Sequence, residues 1–80
     1  MSKIEKYLKC FTDTFEITND QASNLEYQSI DNWDSVGHMN LMGVIEEEFE
    51  IEMDIDDITD FSSFVKGKEI LKKYGVVLDE

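Results

Sequence analysis

The chain has 80 residues, of which 41% are hydrophobic, and its 19 acidic residues outnumber seven lysines, giving a formal net charge of −12. This length predicts one domain, residues 1–80, and the charge excludes nucleic acid and anionic membranes as partners. One cysteine and one histidine exclude an internal disulfide and a four-ligand zinc site.

The first helix is predicted to begin at Lys3. Ser2 and Glu5 have the spacing of a capping box, in which each side chain accepts a hydrogen bond from the other residue's backbone N–H. Apolar residues then follow on one helical face: Ile4, Leu8, Phe11 and Phe15. The helix is expected to end near Phe15. Residues 19–34 are predicted to form a long loop, and loops of this length in a small domain are usually functional.

The second helix is predicted over Ser35–Phe49. At about 100° per residue, its buried stripe consists of His38, Leu41, Met42, Ile45 and Phe49. Val36 lies on the opposite side and Met39 at its flank, so an apolar patch is exposed at the helix start. Gly37 and Gly43 each cost about 1 kcal/mol relative to alanine in a helix interior, and we therefore expect both to permit a close approach by a neighbour.

A short third helix is predicted at residues 54–58, with Ile55 and Ile58 pointing inward. The acids of this segment raise the alternative of a calcium loop. An EF-hand beginning at Asp54 would need Asp or Asn at its fifth position and Gly at its sixth, where Ile58 and Thr59 stand. We therefore expect no metal site.

The last helix is predicted to begin after a serine cap, at Ser62 or Ser63, and to stop at Gly75. Residues 76–78 form only a weak strand pattern. The sequence therefore predicts an all-α fold: a small four-helix bundle of three main helices plus a short third helix, with a long loop between helices one and two.

The charges are placed unevenly along the chain. All seven lysines fall in residues 3–9 and 66–73, whereas residues 46–60 contain nine acids and no base. Such a field attracts proteins with basic patches, or else it is a solvated face that maintains solubility. No apolar run is long enough to cross a bilayer and no signal peptide is evident, so we expect a cytoplasmic monomer without membrane insertion.

The tetrad Trp33-Asp34-Ser35-Val36 places a serine where the loop becomes the second helix. The first N–H groups of a helix lack intrahelical partners and carry the positive end of its dipole, so an anion attached there is stabilised. A serine oxygen at this place is suited to carry a phosphodiester. The alternative is that Asp34 and Ser35 only cap the helix.

Asp34-Ser35-Val36, followed by Leu41 and the run of residues 45–49 (Ile-Glu-Glu-Glu-Phe), resembles the Asp-Ser-Leu motif and second helix of acyl carrier proteins. The likeness in length, acidity and helix order covers essentially the whole chain. It implies that a phosphopantetheinyl transferase attaches 4′-phosphopantetheine from coenzyme A to Ser35. The arm's thiol would hold acyl groups as thioesters. Asp34 would cap the helix and help the transferase to position its metal and cofactor.

The resemblance also implies a surface that faces partner enzymes, formed by Val36, Met39, Glu46 and Glu47. These partners would be loading and acyl- or aminoacyl-transferring enzymes with basic docking patches. The chain departs from the fatty-acid type, because Gly37 and Asn40 stand where acids are usual and His38 follows Gly37. The pattern is more similar to carriers of secondary pathways and to peptidyl carriers. The cargo therefore stays open among fatty, polyketide-like, hydroxy-acyl and aminoacyl groups.

Two other functions are possible alternatives to that of a carrier. An acidic helical interaction module without a covalent arm is compatible with the composition. An enzyme using Ser35 as nucleophile and His38 as base is disfavoured, because the helical wheel turns His38 toward the core. Cys10 is expected to lie at the edge of the core as an unreactive thiol. The sequence therefore predicts a freestanding, non-catalytic carrier with no catalytic residues.

Overall fold

A computed structural model describes residues 2–78 and shows an all-α chain with five helices. They are α1 (Lys3–Phe15), α2 (Asn19–Ser23), α3 (Ser35–Phe49), α4 (Ile55–Asp60) and α5 (Phe64–Lys72). Within the described residues no β-strand is present, and one isolated antiparallel bridge joins Glu26 to Ser63. No helix in this part of the chain is long and apolar enough to cross a bilayer.

Helix α1 has the predicted bounds because its ends are encoded locally. The Ser2 hydroxyl accepts from the Glu5 backbone N–H at 3.3 Å, and the Glu5 carboxylate accepts from the Ser2 N–H at 3.1 Å, so the capping box is confirmed. The buried face of α1 differs in part from the predicted face. Phe11 and Phe15 are buried as expected, but Tyr7 and Cys10 are buried with them, whereas Ile4 and Leu8 are half-buried.

Aromatic side chains occupy the centre of the core. Phe11 lies at the middle of the group, with ring centroids 5.0 Å from Tyr7, 5.6 Å from Trp33 and 5.1 Å from Phe64. The Tyr7 hydroxyl donates to the Phe64 carbonyl at 2.7 Å, so its polar group is satisfied although the residue is fully buried. Through these contacts α1 packs against Trp33 in the loop before α3 and against Phe64 in α5.

The segment predicted as one long loop contains the short helix α2. Thr18 and Gln21 form a second capping box, with the Gln21 N–H donating to the Thr18 hydroxyl at 3.2 Å. Helix α2 has five residues, and Ala22 is its buried side chain. One buried residue gives no apolar periodicity, so the hydrophobic pattern does not predict this helix. The loop then continues to Asp34. Its backbone is bonded to the α4–α5 connection by Tyr27 N–H to the Ser62 carbonyl at 2.8 Å.

Helix α3 also has the predicted bounds, and Leu41, Met42 and Ile45 form its buried face. His38 and Phe49, predicted in the same stripe, are half-buried. The expectation of close approach at Gly43 is wrong, because a Cβ atom there would have no neighbour within 4 Å.

Helix α4 matches the predicted inward face at Ile58, which packs against the core, but not at Ile55. Ile55 is exposed, so the expectation that it points inward is wrong, and Ile58 is half-buried. Asp57 is buried in its place. This buried carboxylate has two polar partners, Lys73 and Tyr74, directly after α5.

Helix α5 begins at the predicted cap, where the Ser63 hydroxyl accepts from the Lys66 N–H at 2.9 Å. A turn after Lys72 leads to Gly75, whose φ of 82° lies in the left-handed region that favours glycine. The weak strand pattern at residues 76–78 does not form a strand. Val76 and Leu78 are nevertheless buried in the core.

Candidate functional site

Ser35 is the first residue of α3, and Asp34 is its cap. The Asp34 Oδ1 atom accepts a hydrogen bond from the Gly37 N–H at 2.9 Å, so the predicted capping role of Asp34 is confirmed. Both residues are exposed. Among residues 2–78, no hydrogen bond involves the Ser35 hydroxyl or the second Asp34 oxygen. The arrangement therefore presents a free hydroxyl beside a free carboxylate oxygen at the positive end of a helix.

The backbone of the loop before Ser35 packs closely against the first turn of α3. A Cβ atom at Gly37 would lie 1.9 Å from the Asn32 carbonyl oxygen and 3.3 Å from the Phe15 ring, so the expected close approach at Gly37 is confirmed. Trp33 is fully buried between the Phe15 ring, with centroids 5.5 Å apart, and the Phe11 ring. This packing fixes the loop one residue before the cap.

His38 lies one turn after Ser35 and is bonded through both ring nitrogens. The Trp33 indole Nε1–H donates to Nδ1 at 2.9 Å. Because indole nitrogen is only a donor, Nδ1 must be the unprotonated nitrogen, and Nε2–H donates to the Ile58 carbonyl at 2.7 Å. His38 therefore has no free nitrogen to accept a proton from Ser35 in this arrangement.

A cleft of about 400 Å³ opens beside Ser35. One wall is the start of α3, and the opposite wall is α4 with the loop residues around it. Its lining, mostly apolar, consists of Tyr27, Ser35, His38, Met39, Ile55, Ile58, Thr59, Phe61 and Ser62. A group tethered to Ser35 by a flexible arm could enter this cleft. The sequence pattern indicated Ser35 and Met39 but not Tyr27, Thr59 or Ser62, since nothing local places them together.

Three large apolar side chains are exposed near the cleft. Val36 is 71% exposed and Met39 57%, as the helical wheel predicted, and Ile55 on α4 is 77% exposed. Met39 of α3 and Ile55 of α4 both line the cleft. The apolar patch beside Ser35 is therefore larger than the sequence alone indicated.

The two acids predicted to face partners differ in their surroundings. Glu47 is exposed. Glu46 is half-buried, and its Oε2 atom accepts from the Met53 N–H at 2.8 Å. Glu46 therefore holds the loop after α3 in place, a structural role that the sequence did not indicate.

Asp57 of α4 is bonded to the two residues that follow α5. The Lys73 ammonium donates to Asp57 Oδ1 at 2.7 Å, and the Tyr74 hydroxyl donates to Asp57 Oδ2. These hydrogen bonds hold the pKa of Asp57 below its ordinary value. Tyr74 also accepts from the Asp54 N–H at 2.9 Å. Lys73 and Tyr74 lie 16 and 17 positions after Asp57 in the sequence, so no local pattern predicts these contacts.

The Cys10 thiol and the possible metal ligands of the described residues form no second site. Burial, with the negative charges of Glu48 and Asp13, raises the pKa of the Cys10 thiol to about 12, which matches the expected unreactive thiol. Within residues 2–78, no three His, Cys, Asp or Glu side chains are grouped as ligands for a metal ion.

Comparison of the chain with protein-family models, with curated proteins and with solved structures finds no match in any of the three.

Proposed function

We propose that this protein is a non-catalytic carrier that holds acyl or aminoacyl groups as thioesters on a 4′-phosphopantetheine arm attached to Ser35. The observation that supports this most directly is the exposed, unbonded Ser35 hydroxyl at the first position of α3. In the transfer from coenzyme A, Ser35 Oγ would attack the phosphorus next to the pantetheine and break the pyrophosphate bond. A phosphodiester would form on the serine, and adenosine 3′,5′-bisphosphate and the hydroxyl proton would be released. The helix dipole stabilises the phosphodiester anion by about 0.3–1 kcal/mol.

The surroundings of Ser35 support a tethered cargo. The cleft of about 400 Å³ begins at Ser35 and is lined mainly by apolar side chains, so an acyl group on the arm would find apolar contacts. The free Asp34 oxygen could help the transferase to position its metal and cofactor. In this proposal the fold is the carrier's four-helix bundle, with α1, α3, α4 and α5 as its helices and α2 an addition within the loop.

The acidic surface suggests how partners would be chosen. The phosphopantetheinyl transferase and the loading and transferring enzymes would present basic patches to Glu47 and its acidic neighbours, with Val36 and Met39 at the apolar centre of the contact. Glu46 could contribute its charge while remaining bonded to Met53. We propose further that this carrier is a cytoplasmic, single-domain monomer that binds neither nucleic acid nor membrane.

Mass spectrometry tests the attachment. Protein incubated with coenzyme A and a broad-specificity transferase should gain one phosphopantetheine mass. Ser35→Ala should abolish the gain while the helical circular dichroism is retained. Ser62→Ala is the matched control, since Ser62 is an exposed serine in the same cleft and its variant should be modified fully. Modification of the Ser35→Ala variant would refute the assignment.

A second function is supported by the exposed apolar side chains of Val36, Met39 and Ile55 on an acidic surface. This combination would also serve an acidic interaction module without an arm. Wild-type protein that stays unmodified with an active transferase would favour this alternative.

A further inference from the structure

The imidazole of His38 belongs to the α3 wall of the cleft and is bonded to Trp33 behind it and to Ile58 of the α4 wall. On one side it accepts from Trp33, the buried anchor of the loop that ends at Asp34 and Ser35. On the other side it donates to the carbonyl of Ile58 in α4. The indole and imidazole rings are nearly parallel, at 17°, with centroids 6.1 Å apart. One side chain therefore links the loop before Ser35 to the opposite wall.

Helix α4 contributes one apolar side chain to the core, the half-buried Ile58, and the buried Phe61 is its C-cap. The helix is six residues long, its buried residue is Asp57, and Ile55 is 77% exposed. On the α5 side it is fastened by the bonds from Asp57 to Lys73 and Tyr74. On the α3 side the polar contact is the bond from His38. Polar contacts on two opposite sides of α4 therefore add to the packing of Ile58 and Phe61 in setting its position.

We infer that His38 is a positioning residue that fixes α4 at its distance from Ser35 and so sets the width of the cleft. The bridge requires an acceptor toward Trp33 and a donor toward Ile58 at once, which the neutral imidazole protonated on Nε2 supplies. The bridge is present in the unmodified fold, so its role does not depend on an arm at Ser35.

Two conservative substitutions separate the two bonds. The asparagine Oδ1 atom is as many bonds from Cα as Nδ1 of histidine, so His38→Asn keeps an acceptor for Trp33 but is too short to reach Ile58. The glutamine Nε2 atom corresponds in reach to Nε2 of histidine, so His38→Gln keeps the donor to Ile58 without an acceptor at the Nδ1 position. His38→Leu removes both bonds.

The chain contains one tryptophan, so its indole N–H gives a single resonance that reports on the first bond. Amide hydrogen exchange at Ile58, whose N–H is bonded to the Asp54 carbonyl at 3.0 Å, reports on the attachment of α4. Exchange at Tyr7 and Phe11 in α1 reports global stability and serves as the internal reference. All measurements use the unmodified protein of residues 1–80.

His38→Asn should speed exchange at Ile58 about tenfold relative to α1, as expected for one lost hydrogen bond, and leave the Trp33 indole resonance near its wild-type position. His38→Gln should shift the indole resonance and speed its exchange while Ile58 stays protected. Asp57→Asn is the matched control, since it should loosen α4 without moving the indole resonance.

Equal changes of both signals in the Asn and Gln variants would overturn the inference. So would exchange at Ile58 in His38→Leu that stays within about twofold of wild type relative to α1. If His38→Leu does not fold, the two conservative variants decide the question. Absence of transferase modification in wild type would refute the proposed function and leave this result unaffected.

Discussion

A Cβ atom on Gly37 would lie 1.9 Å from the carbonyl oxygen of Asn32. The backbone of the first turn of α3 therefore packs directly against the loop that leads to Asp34 and Ser35. Because the atom in contact belongs to the backbone, no side-chain rotation can relieve the overlap. Gly37 is therefore required by tertiary packing, in contrast to Gly43 in the same helix.

Gly37→Ala should destabilise the fold by about 1–3 kcal/mol, since the loop must shift to admit the methyl group. Gly43→Ala should stabilise it by about 0.5–1 kcal/mol, because alanine is the better helix former and the space around it is open. Chemical denaturation of both variants measures the difference. Similar effects of the two substitutions would contradict the tight contact at Gly37.

Asp57→Asn should lower the free energy of unfolding at neutral pH. The bonds from Lys73 and Tyr74 lower the pKa of Asp57, so its stabilising effect is present above its unfolded value of about 3.9 and is lost as the pH falls through the lower folded value. The bond to Asp57 also raises the pKa values of Lys73 and Tyr74. Their contribution is present below about pH 10 and is lost as the pH rises through the higher folded values.

Unfolding of the wild type and Asp57→Asn should therefore be compared between pH 3 and pH 11. The difference in stability should be largest between about pH 5 and pH 9 and shrink toward both extremes. A difference that does not change with pH would show that the ionised cluster contributes nothing.

Cys10 should react with a thiol-specific disulfide reagent at pH 8 on the order of a thousandfold more slowly than free cysteine, because the thiolate is the reactive species and its pKa is about 12. Denaturant should restore ordinary reactivity. After treatment with coenzyme A and a transferase, one rapidly reacting thiol should appear and should persist in Cys10→Ala. A rapid reaction of the untreated folded protein would show that Cys10 is accessible.

Glu46→Ala and Glu47→Ala should have different effects, although the residues are adjacent. Loss of the Glu46 bond to the Met53 N–H should cost about 1 kcal/mol of stability, whereas Glu47→Ala should change stability by less than about 0.5 kcal/mol. Glu47→Ala should instead slow modification by the transferase at low salt. This difference from wild type should fade as salt shortens the screening length below about 8 Å.

Thermal unfolding and modification rates at several salt concentrations measure these effects. A modification rate of the wild type that does not depend on salt would indicate that the acidic surface serves solubility alone.

The bounds of α1 and α3 could be predicted because they depend on neighbouring residues. Ser2 and Glu5 start α1, and Asp34 caps α3, through contacts within one turn. The short helix α2 has a capping box of the same kind at Thr18 and Gln21. It could have been found from that spacing, but hydrophobic periodicity cannot indicate a helix with one buried residue.

The sequence by itself determined the all-α fold, the place of Ser35 at the start of α3 and the exposure of Val36 and Met39, because helical geometry and capping act over three or four residues. Only the tertiary structure decided that Gly43 is open, that Ile55 is exposed and that Asp57 is buried against Lys73. It also brought Trp33 and Ile58 to the two nitrogens of His38. These contacts join different elements, and their partners are selected by packing of the whole core, for which no local spacing exists.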